Sequence, residues 1–165
     1  MDRGIGVRGK GETSFLVKRS FAHPPHQLTK SGTAQYLIGE FIMYEIEIRR
    51  TFSAAHQLKG YDGDCKNLHG HNYSVVVTIK SPELDSIGIA LDFKLLKSEV
   101  DALLKTYDHH NLSELSDFAD VNPTSEVLAR TIYRKLSERL NDGVRKVYKV
   151  RIGESENSAV TYYED

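Results

Sequence analysis

Residues 69–79 of this chain read HGHNYSVVVTI, a pair of histidines that leads into a run rich in β-branched residues. Such residues are enriched in strands, so the run predicts a strand from about His69 to Lys80. A strand places residues i and i+2 on the same face. The imidazoles of His69 and His71 are therefore expected to point the same way.

A second strand pattern precedes this run. In the segment 44–52 (YEIEIRRTF), apolar and polar residues alternate through Ile48, as they do in a half-buried strand. Residues 53–68 include the turn-forming sequence DGD at 62–64 and predict a loop. His56 is therefore expected to approach His69 from a loop.

Two apolar stripes at helical spacing predict two helices. The first runs from 91–93 to about Tyr107, and its apolar face is formed by Leu95, Leu96, Val100, Leu103 and Leu104. The second begins in 122–126, with Asn122 as the predicted capping residue and Pro123 at the first helical position. Its apolar face is formed by Val127, Leu128, Thr131, Ile132 and Leu136.

The remaining elements predict the fold class. Residues 141–143 (NDG) close the second helix, and the segments 144–152 and 158–164 form a final hairpin. The order is β-β-α-α-β-β. We therefore expect an α+β fold, an antiparallel sheet with two helices on one face.

Composition narrows the class of protein. The 165 residues include 22 Lys and Arg against 23 Asp and Glu, so no electrostatic case exists for direct nucleic-acid or membrane binding. The single cysteine permits no intramolecular disulfide, which fits a reducing cytosol. No apolar run reaches the roughly 18 residues that span a bilayer. These features predict a cytoplasmic protein.

Residues 1–42 differ from the rest of the chain. They contain six of the twelve glycines, and their periodicity is weak up to about Gly32. The favoured interpretation is a poorly ordered N-terminal extension, with His23 and His26 as loop residues, before a domain at 43–165. Alternatively, an early start codon has included an upstream stretch, or residues 34–42 add a strand.

Three histidines form the strongest candidate for a functional site. His69 and His71 share a strand face, and His56 is close to that strand in the predicted fold. Three neutral imidazoles with an open fourth position are the ligand set of a catalytic zinc site. Iron or copper would also accept imidazole ligands. A metal here would act as a Lewis acid on a substrate carbonyl or hydroxyl.

Cys65 lies four residues before His69 in a turn-rich loop. A nearby cation would lower the pKa of its thiol and supply a thiolate for proton transfer. Two other interpretations stay open: Cys65 is a small buried hydrophobic residue, or it is a fourth metal ligand that closes a structural site.

Two acidic positions complete the candidate chemistry. In Asp108-His109, the carboxylate would fix the imidazole tautomer and support proton transfer near neutral pH, although a plain polar loop also fits. Glu154 follows a strand-like run. Its carboxylate would accept two hydrogen bonds from the guanidine-like edge of a heterocycle, unless it is a solvated turn residue.

Taken together, these segments resemble the family of 6-pyruvoyl- and 6-carboxy-tetrahydropterin synthases. The resemblance covers about residues 43–165 and leaves out 1–42. Each motif alone is weakly specific, but five occur in the family's order: FSAAH at 52–56, CKNLHGH at 65–71, LDF at 91–93, DHHNL at 108–112 and NPTSE at 122–126.

The resemblance implies a tunnelling fold, in which subunits form a closed barrel, and a homo-oligomer, trimer or hexamer, with active sites between subunits. It assigns roles to nine residues in this chain. His56, His69 and His71 match the zinc ligands, Cys65 the catalytic base, Asp108 and His109 the Asp-His pair of a neighbouring subunit, Glu154 the pterin anchor, and Thr124 and Ser125 residues that hold the pterin edge.

The spacing also bears on the branch of the family. Three residues separate Cys65 from His69, which is similar to the bacterial and archaeal branch that makes 6-carboxy-5,6,7,8-tetrahydropterin for queuosine or archaeosine in tRNA. We therefore expect a zinc-dependent carbon–oxygen and carbon–carbon lyase acting on 7,8-dihydroneopterin triphosphate. Gln57 departs from the family, where Arg is common.

Alternatives to this reaction stay open. The chain resembles the pyruvoyl-forming synthases almost as well, and these eliminate triphosphate but keep all side-chain carbons. A non-catalytic zinc- or pterin-binding oligomer is an alternative of another class, in which Cys65 closes the metal shell. A generic zinc hydrolase is less favoured because the sequence contains no His-Glu-x-x-His motif.

Overall fold

The structure is a computed structural model that describes residues 42–165. The predictions for residues 1–41, including His23, His26 and most of the added strand over 34–42, fall outside the described residues. The described part contains six main elements: β1 (Tyr44–His56), β2 (His69–Ser81), α1 (Phe93–Leu104), α2 (Ser125–Leu140), β3 (Lys146–Gly153) and β4 (Ala159–Tyr162).

The four strands form one antiparallel sheet in the order β1-β2-β3-β4. This confirms the predicted α+β class and the order β-β-α-α-β-β. Alternate residues of β1 and β2 pack with both helices in one hydrophobic cluster, so the helices cover the same face of the sheet. Neither helix has the length and apolar character of a membrane-spanning segment in the described residues.

The strand β1 continues further than the sequence predicts. It pairs with β2 over thirteen positions, from Tyr44 opposite Ser81 to His56 opposite His69. The prediction that His56 lies in a loop is therefore wrong. The turn-forming residues begin only after His56, which lies at the end of the sheet.

The start of α2 also differs from the prediction. Asn122 is not the capping residue and Pro123 is not helical, because the N-cap is Thr124, whose side chain accepts a hydrogen bond from the Val127 N–H. Asn122 instead uses both ends of its amide to bond the backbone of Lys59. Two hydrogen bonds in the tertiary structure replace the single one that a cap would make.

Leu95 is a further correction, in the first helix. It was predicted on the apolar face, but it is 49% exposed, whereas its neighbour Leu96 is fully buried. The helix also ends at Leu104, and turns carry the chain on to Tyr107. Adjacent helical positions lie about 100° apart, so only one of the two leucines faces the sheet.

The two leucines give a test of the packing. We expect Leu96→Ala to lower the free energy of unfolding by about 2–5 kcal/mol, because it leaves a cavity in the core. Leu95→Ala should change it by about 0.5 kcal/mol or less. Urea denaturation of the two variants measures both values. Equal losses would contradict the orientation of α1.

Candidate functional site

The three histidines converge at one end of the sheet. His56 ends β1, and His69 opens β2 directly opposite it. His71 is two residues further along β2, opposite Ala54. One ring nitrogen of each histidine lies within 4.8 Å of those of the other two. The predicted grouping of His56, His69 and His71 is therefore present in the structure.

The hydrogen bonds of two histidines set their tautomers. Nδ1 of His56 lies 2.8 Å from the Pro123 carbonyl oxygen, and Nδ1 of His69 lies 2.7 Å from that of Asn67. A carbonyl oxygen only accepts, so both Nδ1 atoms carry the proton in the neutral rings. Each ring then presents an unprotonated Nε2 to the other, at a distance of 3.1 Å.

This arrangement fits a metal ion. Two bare nitrogen lone pairs at this distance repel one another unless a cation lies between them. Nitrogen ligands at about 2.0–2.1 Å from a tetrahedral zinc ion stand about 3.3 Å apart, close to the observed 3.1 Å. The residues that hold Nδ1 of both rings also match the outer-shell partners that orient metal-binding histidines.

His71 contributes a third nitrogen to the group. Its Nε2 is buried and has no hydrogen-bond partner among residues 42–165, although Oε1 of Glu154 lies 3.3 Å away. Burial lowers the pKa of His71, and the neighbouring His56 and His69 lower it too, against the opposing effect of Glu154. The neutral ring, which is the metal-binding form, is therefore favoured.

Glu154 lies beside this cluster and is held on its other side. Its Oε2 accepts a hydrogen bond of 2.6 Å from the Ser125 hydroxyl, at the start of α2. Gly153 precedes it and allows β3 to approach β2, because a Cβ atom there would collide with the Ser74 hydroxyl. The Glu154 carboxylate is thus positioned between α2 and His71.

A cavity of about 670 Å³ lies in front of these groups. It is lined by His56, Thr124, Ser125 and Glu154, among others, and by the loop that contains Lys59. The structure thus brings the predicted pterin-holding residues to the same cavity as one of the predicted metal ligands. A cavity of this size is within the range that takes a small heterocyclic ligand.

Cys65 lies in a short 3-10 turn, Asp64–Lys66, and is half-buried with a free thiol. Its carbonyl oxygen accepts a hydrogen bond of 2.9 Å from the Leu58 N–H, which ties the turn to the segment after His56. Cys65 is not part of the three-histidine group. The ligand set in the described residues is therefore three nitrogens.

Asp108 and His109 form the predicted pair. Nδ1 of His109 lies 2.9 Å from Oδ2 of Asp108. A hydrogen bond from the Ser53 N–H lowers the pKa of the Asp108 carboxyl, and the bond to His109 lowers it further. His109 has a positive φ of 60°, and its N–H donates to the Ser53 carbonyl oxygen. A non-glycine residue in this conformation is uncommon.

The pair lies away from the histidine cluster. Residues 108–111 run along the outer edge of β1, where Asn111 forms a parallel bridge with Ala55. The His109 side chain is 80% exposed. Within residues 42–165, no hydrogen bond or ion pair joins the pair to the three histidines. Within one chain the pair is therefore bonded to the backbone of β1 and not to the three histidines.

Some residues that build the site were missed by the sequence reasoning. Asn122 was assigned to the wrong role, and Ser113 was not considered. The hydroxyl of Ser113 accepts from the Gln57 N–H and donates to the Gln57 carbonyl oxygen. Tyr73 was also missed; its ring lies edge-on to His56 and His71, and its buried hydroxyl has no partner in the described part of the chain. Tyr73 lies two residues after His71 in HGHNY and therefore on the same strand face. This spacing is the sequence signal that could have placed Tyr73 beside the histidines.

Comparisons with known proteins agree with this geometry. A family model described as 6-pyruvoyl tetrahydropterin synthase matches residues 45–165. A 6-carboxy-5,6,7,8-tetrahydropterin synthase from Synechocystis sp. is 36% identical over 118 residues, which are 68% of this chain and 88% of the relative. Human 6-pyruvoyl tetrahydrobiopterin synthase is 34% identical over 132 residues, 72% of this chain and 90% of the relative.

A solved structure shares the fold. The 6-pyruvoyl tetrahydropterin synthase from Caenorhabditis elegans superposes with a TM-score of 0.68 at 31% identity, covering 76% of this chain and 98% of that one. The family model covers most of the chain, including every residue of the three-histidine cluster and its surroundings. This chain therefore belongs to the 6-pyruvoyl tetrahydropterin synthase family of lyase-type pterin synthases.

Proposed function

We propose that this protein is a 6-carboxy-5,6,7,8-tetrahydropterin synthase. It converts 7,8-dihydroneopterin triphosphate and water to 6-carboxy-tetrahydropterin, acetaldehyde and triphosphate, and so supplies a precursor for 7-deazaguanine modification of tRNA. The observation that carries the proposal is the position of Glu154, hydrogen-bonded to Ser125 and adjacent to His71. A carboxylate beside the three histidines supports a heterocycle anchor next to a metal site.

His56, His69 and His71 are the residues that would hold Zn²⁺. When bound, the ion would act as a Lewis acid and make the side-chain hydroxyls of the substrate more acidic. The ligands are suited to this role because their outer nitrogens, in His56 and His69, are already fixed by carbonyl oxygens. A three-nitrogen set leaves a coordination position for substrate.

The other residues bind the pterin and move protons. Glu154 accepts two N–H groups from the pyrimidine edge of the pterin, with Ser125 fixing the carboxylate and Thr124 beside it at the start of α2. Cys65 removes a proton from the substrate side chain as its thiolate. Triphosphate leaves, and cleavage of a carbon–carbon bond releases acetaldehyde.

Asp108 and His109 supply the second proton-transfer group from a neighbouring subunit. The exposure of the His109 ring supports this part of the proposal, because a group that serves a partner's site must lie at the surface of its own chain. Asp108 orients the imidazole through the contact of its Oδ2 with Nδ1 of His109. The active site is then complete only in a homo-oligomer.

A second candidate is the pyruvoyl-forming reaction, in which triphosphate is eliminated and all side-chain carbons stay. The similarity to the human and Caenorhabditis elegans pyruvoyl-forming synthases favours this alternative. The short spacing from Cys65 to His69 favours the carboxy-forming reaction. The two reactions use the same metal and anchor residues, so they differ in product and not in the architecture of the site.

Product analysis separates the two reactions. We expect the zinc-loaded protein, incubated with 7,8-dihydroneopterin triphosphate, to give carboxy-tetrahydropterin and one equivalent of acetaldehyde by mass spectrometry. Pyruvoyl-tetrahydropterin without acetaldehyde would assign the chain to the other branch. A folded, zinc-loaded oligomer without turnover would identify it as a binding protein.

Cys65→Ala tests the proton-transfer role. We expect turnover to be lost, because the proposed base is removed, while one zinc ion per chain is retained by the three histidines. Metal analysis and a turnover assay on the same preparation measure both quantities. Loss of zinc together with activity would instead identify Cys65 as a fourth ligand, and unchanged activity would exclude it as the base.

Mixed oligomers test whether the site is shared. Cys65→Ala and His109→Ala are each expected to be inactive alone. When the two variants are unfolded, mixed in equal amounts and refolded together, about one quarter of shared sites should assemble with both wild-type residues. Recovery of activity in the mixture checks this result, and a mixture as inactive as its parts would place both residues in one subunit.

A further inference from the structure

The segment after His56 leaves the sheet but keeps a fixed course. Its peptide groups pair with side chains, and not with a neighbouring strand. Ser113 bonds both the N–H and the carbonyl oxygen of Gln57, at 3.0 and 3.3 Å. Asn122 does the same for Lys59, at 2.8 and 2.9 Å. Two side chains thus make the hydrogen bonds that a neighbouring strand would make in a sheet.

Leu58, which lies between Gln57 and Lys59, holds the backbone of Cys65. The Leu58 N–H donates to the Cys65 carbonyl oxygen at 2.9 Å. The Tyr61 N–H then turns back to the Leu58 carbonyl oxygen, which closes the loop. The position of the Cys65 backbone therefore depends on residues 57–61, which in turn are held by Ser113 and Asn122.

Asn122 also begins the segment 122–125, whose other residues contact further groups of the site. The next residue, Pro123, provides the carbonyl that holds His56. Thr124 caps α2, and Ser125 holds Glu154. Residues 122–125 therefore contact Lys59, His56 and Glu154. A displacement of Lys59 away from Asn122 would change its position relative to both His56 and Glu154.

We propose that Asn122 is a positioning residue for Cys65. Its amide holds the Lys59 peptide from both sides, and through Leu58 it fixes the distance of the thiol from His56 and Glu154. The expected effect of Asn122 on the reaction rests on the proposed function, whereas its expected effect on the position of the thiol does not.

The choice of an amide follows from this contact. An amide side chain carries a donor and an acceptor on two separate atoms, so it can bond the Lys59 N–H and the Lys59 carbonyl oxygen at the same time. Asn122→Ala removes both bonds, whereas Asn122→Asp keeps the acceptor for the Lys59 N–H and sets an oxygen against the Lys59 carbonyl. Both variants should loosen the loop, although the helix cap Thr124 is retained.

The first readout needs no substrate. We expect iodoacetamide to alkylate Cys65 several-fold faster in Asn122→Ala and Asn122→Asp than in the wild-type protein, because the half-buried thiol becomes more accessible. Zinc content should stay at the wild-type value, since the three histidines are unchanged. The single cysteine makes the alkylated site unambiguous.

The second readout is turnover. We expect kcat to fall by about 10- to 100-fold in both variants, because the thiol is displaced from its reacting geometry, while KM changes little. Asn141→Ala is the matched control. Asn141 also accepts a backbone N–H, from Val147 at 2.8 Å, but at the far end of α2, so its loss should leave alkylation and kcat unchanged.

The outcomes separate this inference from the proposed function. Wild-type alkylation rates in both Asn122 variants would overturn it, and so would faster alkylation with unchanged kcat. A wild-type rate in Asn122→Asp alone would overturn the two-bond contact. If the wild-type protein has no turnover, the proposed function fails, and the alkylation rates alone decide whether Asn122 positions the thiol.

Discussion

The antiparallel pairing of β1 with β2 is the constraint on which the site depends. It extends over thirteen positions and ends with His56 opposite His69. Side chains alternate between the faces of a sheet, so a slip of one residue would move His56 to the opposite face from His71. The apolar residues of β1 and β2 prevent that slip, because it would expose the face that both helices cover. The hydrophobic core therefore fixes the geometry of a polar site.

The start of α2 is the second organising element. Four consecutive residues, 122–125, each serve a different part of the cavity: the loop after His56, the His56 ring, the helix itself and Glu154. A displacement of this element would break all of these hydrogen bonds together, including the buried contact of His56 with the Pro123 carbonyl oxygen. The positions of the site residues are thus determined by the start of α2 and by the pairing of β1 with β2.

The fold and the grouping of the three histidines could be predicted because both follow from local patterns. Alternation predicted β1, β-branched residues predicted β2, and the i, i+2 spacing placed His69 and His71 together. The errors at Asn122 and His56 concern tertiary choices. Asn122 has the side chain of a cap, but its preference was overridden by the Lys59 backbone, which is distant in sequence. The incorrect prediction for His56 has the same cause, because the residue at which β1 ends depends on its pairing with β2 and not on the residues of β1 alone.

The separation of the Asp108–His109 pair from the histidine cluster has a physical basis. Metal ligands must be neutral, and burial favours that form of His71. A proton-transferring imidazole must instead pass through its charged form, which burial disfavours. On the outer edge of β1, the His109 ring is exposed to water and lies beside the Asp108 carboxylate. Under the proposed function, these opposite requirements explain why the two groups lie in different environments of one chain, and an interface between chains would bring them together around one substrate.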